Sequence, residues 1–436
     1  MPRRLPFASG LLSAALIGGL GLAACGGPGS AATTSGTAKV APAGPLVVQL
    51  WESHAGGPVA DAMATLVQRF NAAHHGVRVR LKVTKASTKA LAAVTAGRPP
   101  LVAEISHYDN RFTQAKALVS LNPFLSGKVG GHPLAVSSLY PAVRANGDMG
   151  GQHYRLQADL KVSEFFYNES LFAKAGVAVP TTWTQLAAAL PRLAKLGVIP
   201  LAFKDSTAHI LSAFRSNGGH YYRPGSRTQT DFNSPAGAET FGFFRNLYRG
   251  QLMILAHGTQ IRSDFGAGKL AIADGTSAGY QKILSAAGGR FHVGAFAFPA
   301  GSSGHSANLA QGLGFAIFAG HSAAQQAAAW TWVQWFLQPQ QQAYWAMHSG
   351  FAPESPAGAA AIPAAWLKQN PGEAVSIREA ASPHTAPRPN AAAYQEVQGA
   401  VDSAFFDVVT GKKPMRATLA ALDATDHGYL SGKTKI

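Results

Sequence analysis

The chain has 436 residues, 37 of them Lys or Arg against 21 Asp or Glu, for a formal charge of +16. That length exceeds what one core organises and predicts two domains, while 47% apolar residues exclude global disorder and a multi-span membrane protein. Charged residues make up only 13%, against roughly 25% in an average domain, so the positive balance reflects missing acids more than added bases. No basic run exceeds Arg3-Arg4 or Lys412-Lys413, which argues against a nucleic-acid partner. The single cysteine leaves no intrachain disulfide and no thiolate zinc site.

Arg3 and Arg4 precede an apolar stretch, residues 10–24, that ends at Cys25. A charged start and a short, Gly-rich apolar segment read as an export signal, too short for a membrane span. Leu22-Ala23-Ala24-Cys25 resembles the bacterial lipobox. The resemblance implies that residues 1–24 are a signal peptide, that cleavage leaves Cys25 at the N-terminus, and that its thiol is lipidated. Such acyl chains hold a protein by roughly 0.8 kcal/mol per buried CH₂. The arginine pair is also similar to a twin-arginine signal, which leaves the export route open. Residues 25–44 are low-complexity Gly, Ala, Ser, Thr and Pro, a flexible tether reaching on the order of 25 Å.

Residues 45–51 read as a buried strand, and Val59, Met63, Leu66, Val67 and Phe70 then share one helical face. Val77, Val79, Leu81 and Val83 alternate with Arg78, Arg80 and Lys82, the period of a strand with one solvated face. Strand, helix and strand predict a βαβ unit with a right-handed crossover. Thr182 and Gln185 form a capping box before the apolar face of Trp183, Leu186, Leu190 and Leu193, and a strand follows over 198–203. Ser322 and Gln325 cap a helix carrying Trp330, Val333 and Leu337, stopped by Pro339. Residues 370–390, rich in Pro, Gly and Ala, are expected to cross the surface. A last stripe of Tyr394, Val397, Val401, Phe405 and Val408 closes at Gly411. The chain is therefore α/β without internal repeats.

Several local patterns are similar, in order, to those of the extracellular solute-binding proteins of bacterial ABC importers, in the family that binds sugars and glycerol phosphates. They are the segment 48–54 (VQLWESH), 68–74 (QRFNAAH), 166–172 (FYNESLF) with Ala175-Gly176-Val177, Pro180-Thr181-Thr182-Trp183, Ser349-Gly350-Phe351-Ala352-Pro353, and Thr410-Gly411-Lys412-Lys413. Together they span most of 45–430. The resemblance implies a two-lobed periplasmic-binding-protein-like fold of type II, each lobe a sheet flanked by helices, joined by a multi-segment hinge. It places one lobe in 45–157 plus about 293–349 and the other in 158–292 plus about 350–436. The hinge crossings are expected near 157–161, 293–299 and 350–353. It also implies a monomer, held outside the cell membrane by lipidated Cys25, that binds a small carbohydrate, needs no cofactor, and serves a permease with a separate ATPase.

A sugar site needs planar polar groups and one or two aromatic platforms. Glu52, Ser53 and His54 end the first strand, where open α/β sheets place ligands. Ser106, Tyr108 and Asp109 match a second ligand loop, although both loops also read as ordinary polar turns. Gln157, Asp159 and Lys161 alternate along the first crossing, and the last two read equally as an ion pair or as ligand contacts. Asp205 follows the 198–203 strand. By resemblance, Ser277 and Tyr280 belong to a second-lobe ligand loop, Tyr280 as a stacking ring, Gly312 lets backbone approach the ligand, Phe351 supplies an aromatic or a core side chain, and Arg388 stands where glycerol-phosphate binders have an arginine. No tryptophan occurs around Lys204, Asp205 and His209, where those binders carry them. Glycerol phosphate or a glycerophosphodiester is thus the second reading of the ligand.

An enzyme reading competes. Gly275-Thr276-Ser277-Ala278-Gly279 is a literal nucleophile-elbow pattern, with Asp402 or Asp407 and then His427 in hydrolase order and His54-Ala55-Gly56-Gly57 as an oxyanion loop. In a chain with 47 glycines such matches arise readily, and the binding-protein register accounts for the flanks as well. The fifteen histidines show no metal-site spacing and no phosphate-binding loop appears, so no metal, cofactor or catalysis is expected.

Overall fold

The computed structural model describes residues 44–106, 109–391 and 393–434. Cys25, the signal, most of the tether and Tyr108 lie outside the described residues, as does the side chain of Asp109.

The strands in chain order are β1 (Leu46–Glu52), β2 (Val77–Val83), β3 (Val102–Ile105), β4 (Asp148–Met149), β5 (Gln152–His153), β6 (Leu156–Gln157), β7 (Ser163–Asn168), β8 (Ile199–Phe203), β9 (Met253–Leu255), β10 (Leu270–Thr276), β11 (Val293–Ala297), β12 (Asn308–Ala310), β13 (Gly314–Ile317) and β14 (Thr385–Pro387). They build two five-stranded sheets, β2-β1-β3-β13-β6 and β11-β7-β10-β8-β9. Each sheet has its own helices and core, so the chain folds as two lobes.

The predicted βαβ unit opens the first lobe: β1 and β2 pair in parallel, Leu46 opposite Val77, and the helix Gly57–Ala73 between them buries Val59, Met63, Leu66, Val67 and Phe70. Asn71 explains the Phe-Asn pattern at that helix end. Its side chain accepts from the Val79 N–H (2.7 Å) and donates to the Val79 carbonyl (2.9 Å), fixing helix to strand. As the edge strand, β2 buries only Val79, and Val83 is exposed. Trp330, Trp332 and Trp345 fill the rest of this core, each buried ring contributing about 2 to 3 kcal/mol in removed apolar surface.

In the second lobe, Asn168 caps the helix Glu169–Ala175 by accepting from the Leu171 N–H, and Gly176 at φ 62° ends it in the left-handed region that a side chain disfavours. Thr182 caps the helix Trp183–Ala194, but only half of the expected box forms. The Gln185 side chain accepts from the Thr181 N–H and hydroxyl instead of from the cap residue. The Ser322 box is complete, and its helix stops at Phe336, before Pro339 starts the next one.

Three expectations change. Residues 293–299 are not a crossing: β11 is the antiparallel edge of the second sheet, paired to β7 with Val293 opposite Asn168. The return to the first lobe comes later, between β12 and β13. Residues 370–390 run over the surface only in their second half. The helix Pro371–Ala381 buries Glu373, Val375 and Ser376, and β14 pairs with β12. After Ala352 docks on Leu160, the helix Pro356–Ala360 still packs beside the helix Pro339–Ser349, so the third crossing is spread over the following residues.

The first crossing, 158–162, joins β6 to β7 as expected and is held from several sides. Lys161 and Gln311 exchange backbone bonds at 3.0 and 2.9 Å, the Ala352 N–H donates to Leu160 (2.7 Å), and the Ser277 N–H donates to Val162 (3.0 Å). Ala158, Leu160 and Val162 turn into the first-lobe core, leaving Gln157, Asp159 and Lys161 on the other side.

Candidate functional site

The strand ends of both lobes converge on this crossing. From the first lobe, β1 brings Glu52 and His54 and β3 brings Glu104, while the crossing supplies Asp159. The His54 Nε2 sits 2.9 Å from Asp159 Oδ2 and 3.8 Å from Glu104 Oε2. The backbone N–H groups of His54 and Ser53 donate to Glu52 (2.7 Å) and Glu104 (3.1 Å). Trp345 and Phe351, stacked at 5.7 Å, close the imidazole from the core side.

All three carboxylates are buried, and His54 is 16% exposed. Burial pushes Glu104 well above the usual carboxylate range, with the Asp159 charge adding to it and His54 opposing. Burial also raises Glu52, against the His54 N–H. Burial pulls His54 down, but the Asp159 hydrogen bond and charge, with the charges of Glu104 and Glu52, outweigh it and lift the imidazole to about 9. Donor atoms of Glu52, His54 and Glu104 lie within 4.8 Å of one another, a set that a divalent cation could use. Two of these carboxylates already accept backbone hydrogen bonds. Glu104 itself escaped the sequence reading. Its only signal was an acid inside an apolar strand.

From the second lobe, β8 brings Lys204 and β10 brings Asp274 and Thr276. Asp274 accepts from buried His209 (2.7 Å) and from the Lys204 N–H (2.9 Å), and these residues line a cavity of about 90 Å³ with Arg262. Lys161 does not pair with Asp159, which His54 occupies. Asp205 is half-buried beside Asp402, whose pKa it helps to raise.

Several other expected contacts are occupied structurally. Gln157 donates to the Gln311 carbonyl (2.8 Å) and accepts from Asn146. Ser106 is buried and its N–H donates to Ser87 (3.1 Å). Gly312, at φ 133°, makes its close approach to the hinge and not to a ligand: a Cβ there would lie 1.6 Å from the Asp159 carbonyl oxygen. Tyr280 is 2% exposed, stacked on Phe166 at 5.7 Å and roofed by Gly372, so its ring belongs to the core. Phe351 packs flat on Trp345 in the core. Ser277 is buried, its hydroxyl accepts from the Val162 N–H (3.4 Å), and His427 bonds the Thr228 carbonyl (3.0 Å). The pattern at 275–279 therefore anchors the hinge.

The open space between the lobes is lined by residues the sequence did not single out. A cavity of about 800 Å³ lies between Asn110 and Gln114 of the first lobe and Tyr222, Arg227, Asn390 and Tyr429 of the second. Cavities of about 760 and 420 Å³ share Asn390 with it, the first lined by Arg144 and Arg227, the second by Arg215, His220, Tyr221 and Arg388. Among the described residues, Arg388 is thus the one expected ligand residue found on these walls. Arg111 and Glu396 bridge the two lobes beside them at 3.0 Å.

Residues 65–374 match the family model of the bacterial extracellular solute-binding proteins, and the chain belongs to that family. No curated protein matches the sequence significantly. Among solved structures, the chain is similar to the cyclic alpha-maltosyl-1,6-maltose binding protein of Arthrobacter globiformis, at 23% identity and a TM-score of 0.78, covering 89% of this chain and 100% of that one. It is also similar to UgpB from Mycobacterium tuberculosis in complex with glycerophosphocholine, at 22% identity and 0.75 over 90% and 99%. The GacH receptor of Streptomyces glaucescens follows at 17% and 0.75 over 88% and 98%. These likenesses establish the two-lobed fold. Among the described residues no helix is long and apolar enough to cross a membrane.

Proposed function

We propose that this protein is the substrate-binding lipoprotein of an ABC importer, which captures a small carbohydrate between its lobes and delivers it to the membrane permease. The observation that carries the reading is the cavity of about 800 Å³ between the lobes, inside the roughly 300–1,000 Å³ range of small-ligand pockets. Its amides (Asn110, Gln114, Asn390) suit hydroxyl pairs, and its rings (Tyr222, Tyr429) suit sugar faces. Residues 1–24 serve as the signal, Cys25 as the lipid anchor outside the cell membrane and 25–44 as the tether. The protein acts as a monomer without cofactor or covalent chemistry, and ATP is hydrolysed by a separate subunit. Function is then an open–closed equilibrium that the solute biases.

A thermal-shift screen of the purified protein against mono- and oligosaccharides, glycerol phosphates, amino acids and oligopeptides tests this. A tight ligand raises the apparent stability by mass action. A carbohydrate is expected to give the largest shift, lost in Tyr222→Ala. A shift confined to amino acids or peptides refutes the carbohydrate reading, and a Ser277-dependent esterase activity would refute the transport one.

A further inference from the structure

Bases that never form a run in the sequence gather on one face of the first lobe. From residue 62 to residue 103 the chain carries Arg69, Arg78, Arg80, Lys82, Lys85, Lys89 and Arg98 and no Asp or Glu. The period of two along β2 points Arg78, Arg80 and Lys82 to the side opposite buried Val79, and all three are exposed. In the parallel register they stand beside Val47, Gln49 and Trp51 of β1. Trp51 shares a cluster with Leu91 and Val94 of the helix Ala86–Thr95, which sets exposed Lys85 and Lys89 at the border of this face. None of these bases has an acid partner among the described residues, and Lys82 Nζ lies 4.1 Å over the Trp51 ring.

Charge on an edge strand resists pairing with other chains, yet that purpose calls for no aromatic ring or valine beside it. A Trp ring flanked by Arg and Lys is the side-chain set enriched where protein meets the headgroup layer of a membrane, and clustered bases are drawn to anionic lipid. The chain also enters the folded unit here: Pro45 precedes β1, and Leu46 and Val47 are 40% and 42% exposed. Residues 25–44 reach on the order of 25 Å. An anchor at Cys25 would hold this end of the sheet close to the lipid.

We propose that this face docks the first lobe on a membrane surface rich in anionic phospholipid, with its bases on the phosphates and Trp51 at the headgroup level. The inference goes beyond solute capture and takes from that reading only the anchor at Cys25.

Lipid titration of the purified protein tests it, with vesicles of phosphatidylglycerol and phosphatidylcholine in equal parts against vesicles of phosphatidylcholine alone. The native chain is expected to partition on the order of a hundredfold more strongly onto the anionic vesicles and to lose most of that preference at high salt. The triple variant Arg78→Gln, Arg80→Gln, Lys82→Gln should lose most of the preference. The triple variant Lys174→Gln, Lys195→Gln, Lys433→Gln, which removes the same charge from exposed sites in the second lobe, should keep most of it. If the first variant does not fold, Lys85→Gln with Lys89→Gln, beside the salt series on the native protein, carries the same test. Equal loss in the variants of the two lobes means that net charge alone drives binding and overturns the docking face. Equal partition onto the two kinds of vesicle overturns it as well, reduces the bases to guards of the sheet edge, and leaves the anchor and solute capture standing.

Discussion

The two lobes bring charge of opposite sign to the same hinge, and they handle it differently. On the first-lobe side, Glu52, Glu104 and Asp159 surround His54: backbone N–H groups and the imidazole donate into the cluster, and burial raises Glu104 well above the usual carboxylate range. On the second-lobe side the charges near the crossing are positive, Lys161 with Lys204 and Lys282 acting on it, while Asp274 is held by His209. The carboxylates are thus tied into the scaffold by the imidazole and the backbone.

The sharpest way to break the contrast is to displace the strand that carries both clusters. Gly312→Ala forces a Cβ onto the Asp159 carbonyl at φ 133°, and urea unfolding should show a loss of about 3 to 5 kcal/mol. An unchanged midpoint would mean that the crossing moves freely.

The acidic cluster should next show itself in pH dependence. A His54 pKa raised from 6.5 to about 9 means that the folded protein keeps a proton that the unfolded chain gives up. Its contribution, on the order of 3 kcal/mol, is full below pH 6.5 and is lost as pH rises through 9. Glu104, also raised, acts in the same direction from 4.5 upward. Thermal denaturation should therefore show stability falling across pH 6.5 to 9, and a flat profile would count against a charged His54.

Asp159→Asn removes the charge that His54 leans on. It should lower the His54 pKa, followed by NMR titration of the ring, and cost about 1 to 3 kcal/mol. A ring that still titrates near 9 would place the source of its charge elsewhere. The smallest effect is expected at Arg111–Glu396, partly exposed at the junction of the lobes. Glu396→Gln should change stability by under about 1 kcal/mol, yet small-angle scattering should record a more open average shape. No change in scattering would reduce the pair to surface decoration.

Much of the fold was legible locally. The βαβ opening followed from alternation and helical spacing and the Ser322 cap from its Gln325 partner, while the first crossing followed from the family resemblance. Less of the site was. The motif residues Ser277, Tyr280, Gly312 and Phe351 hold the hinge and cores in this structure. Tyr222, Tyr429, Asn390 and Asn110 line the inter-lobe space from irregular segments or element ends, where no period marks them. Sequence alone determined what depends on neighbours in the chain: periodicity, caps, the lobes' local units and the bias of composition toward positive charge. Tertiary structure decided that β11 joins the second sheet, that Glu104 answers His54 and that Asp159 pairs with His54. Each of these is a pairing between residues tens to hundreds of positions apart, settled by burial and hydrogen bonding that no local pattern encodes.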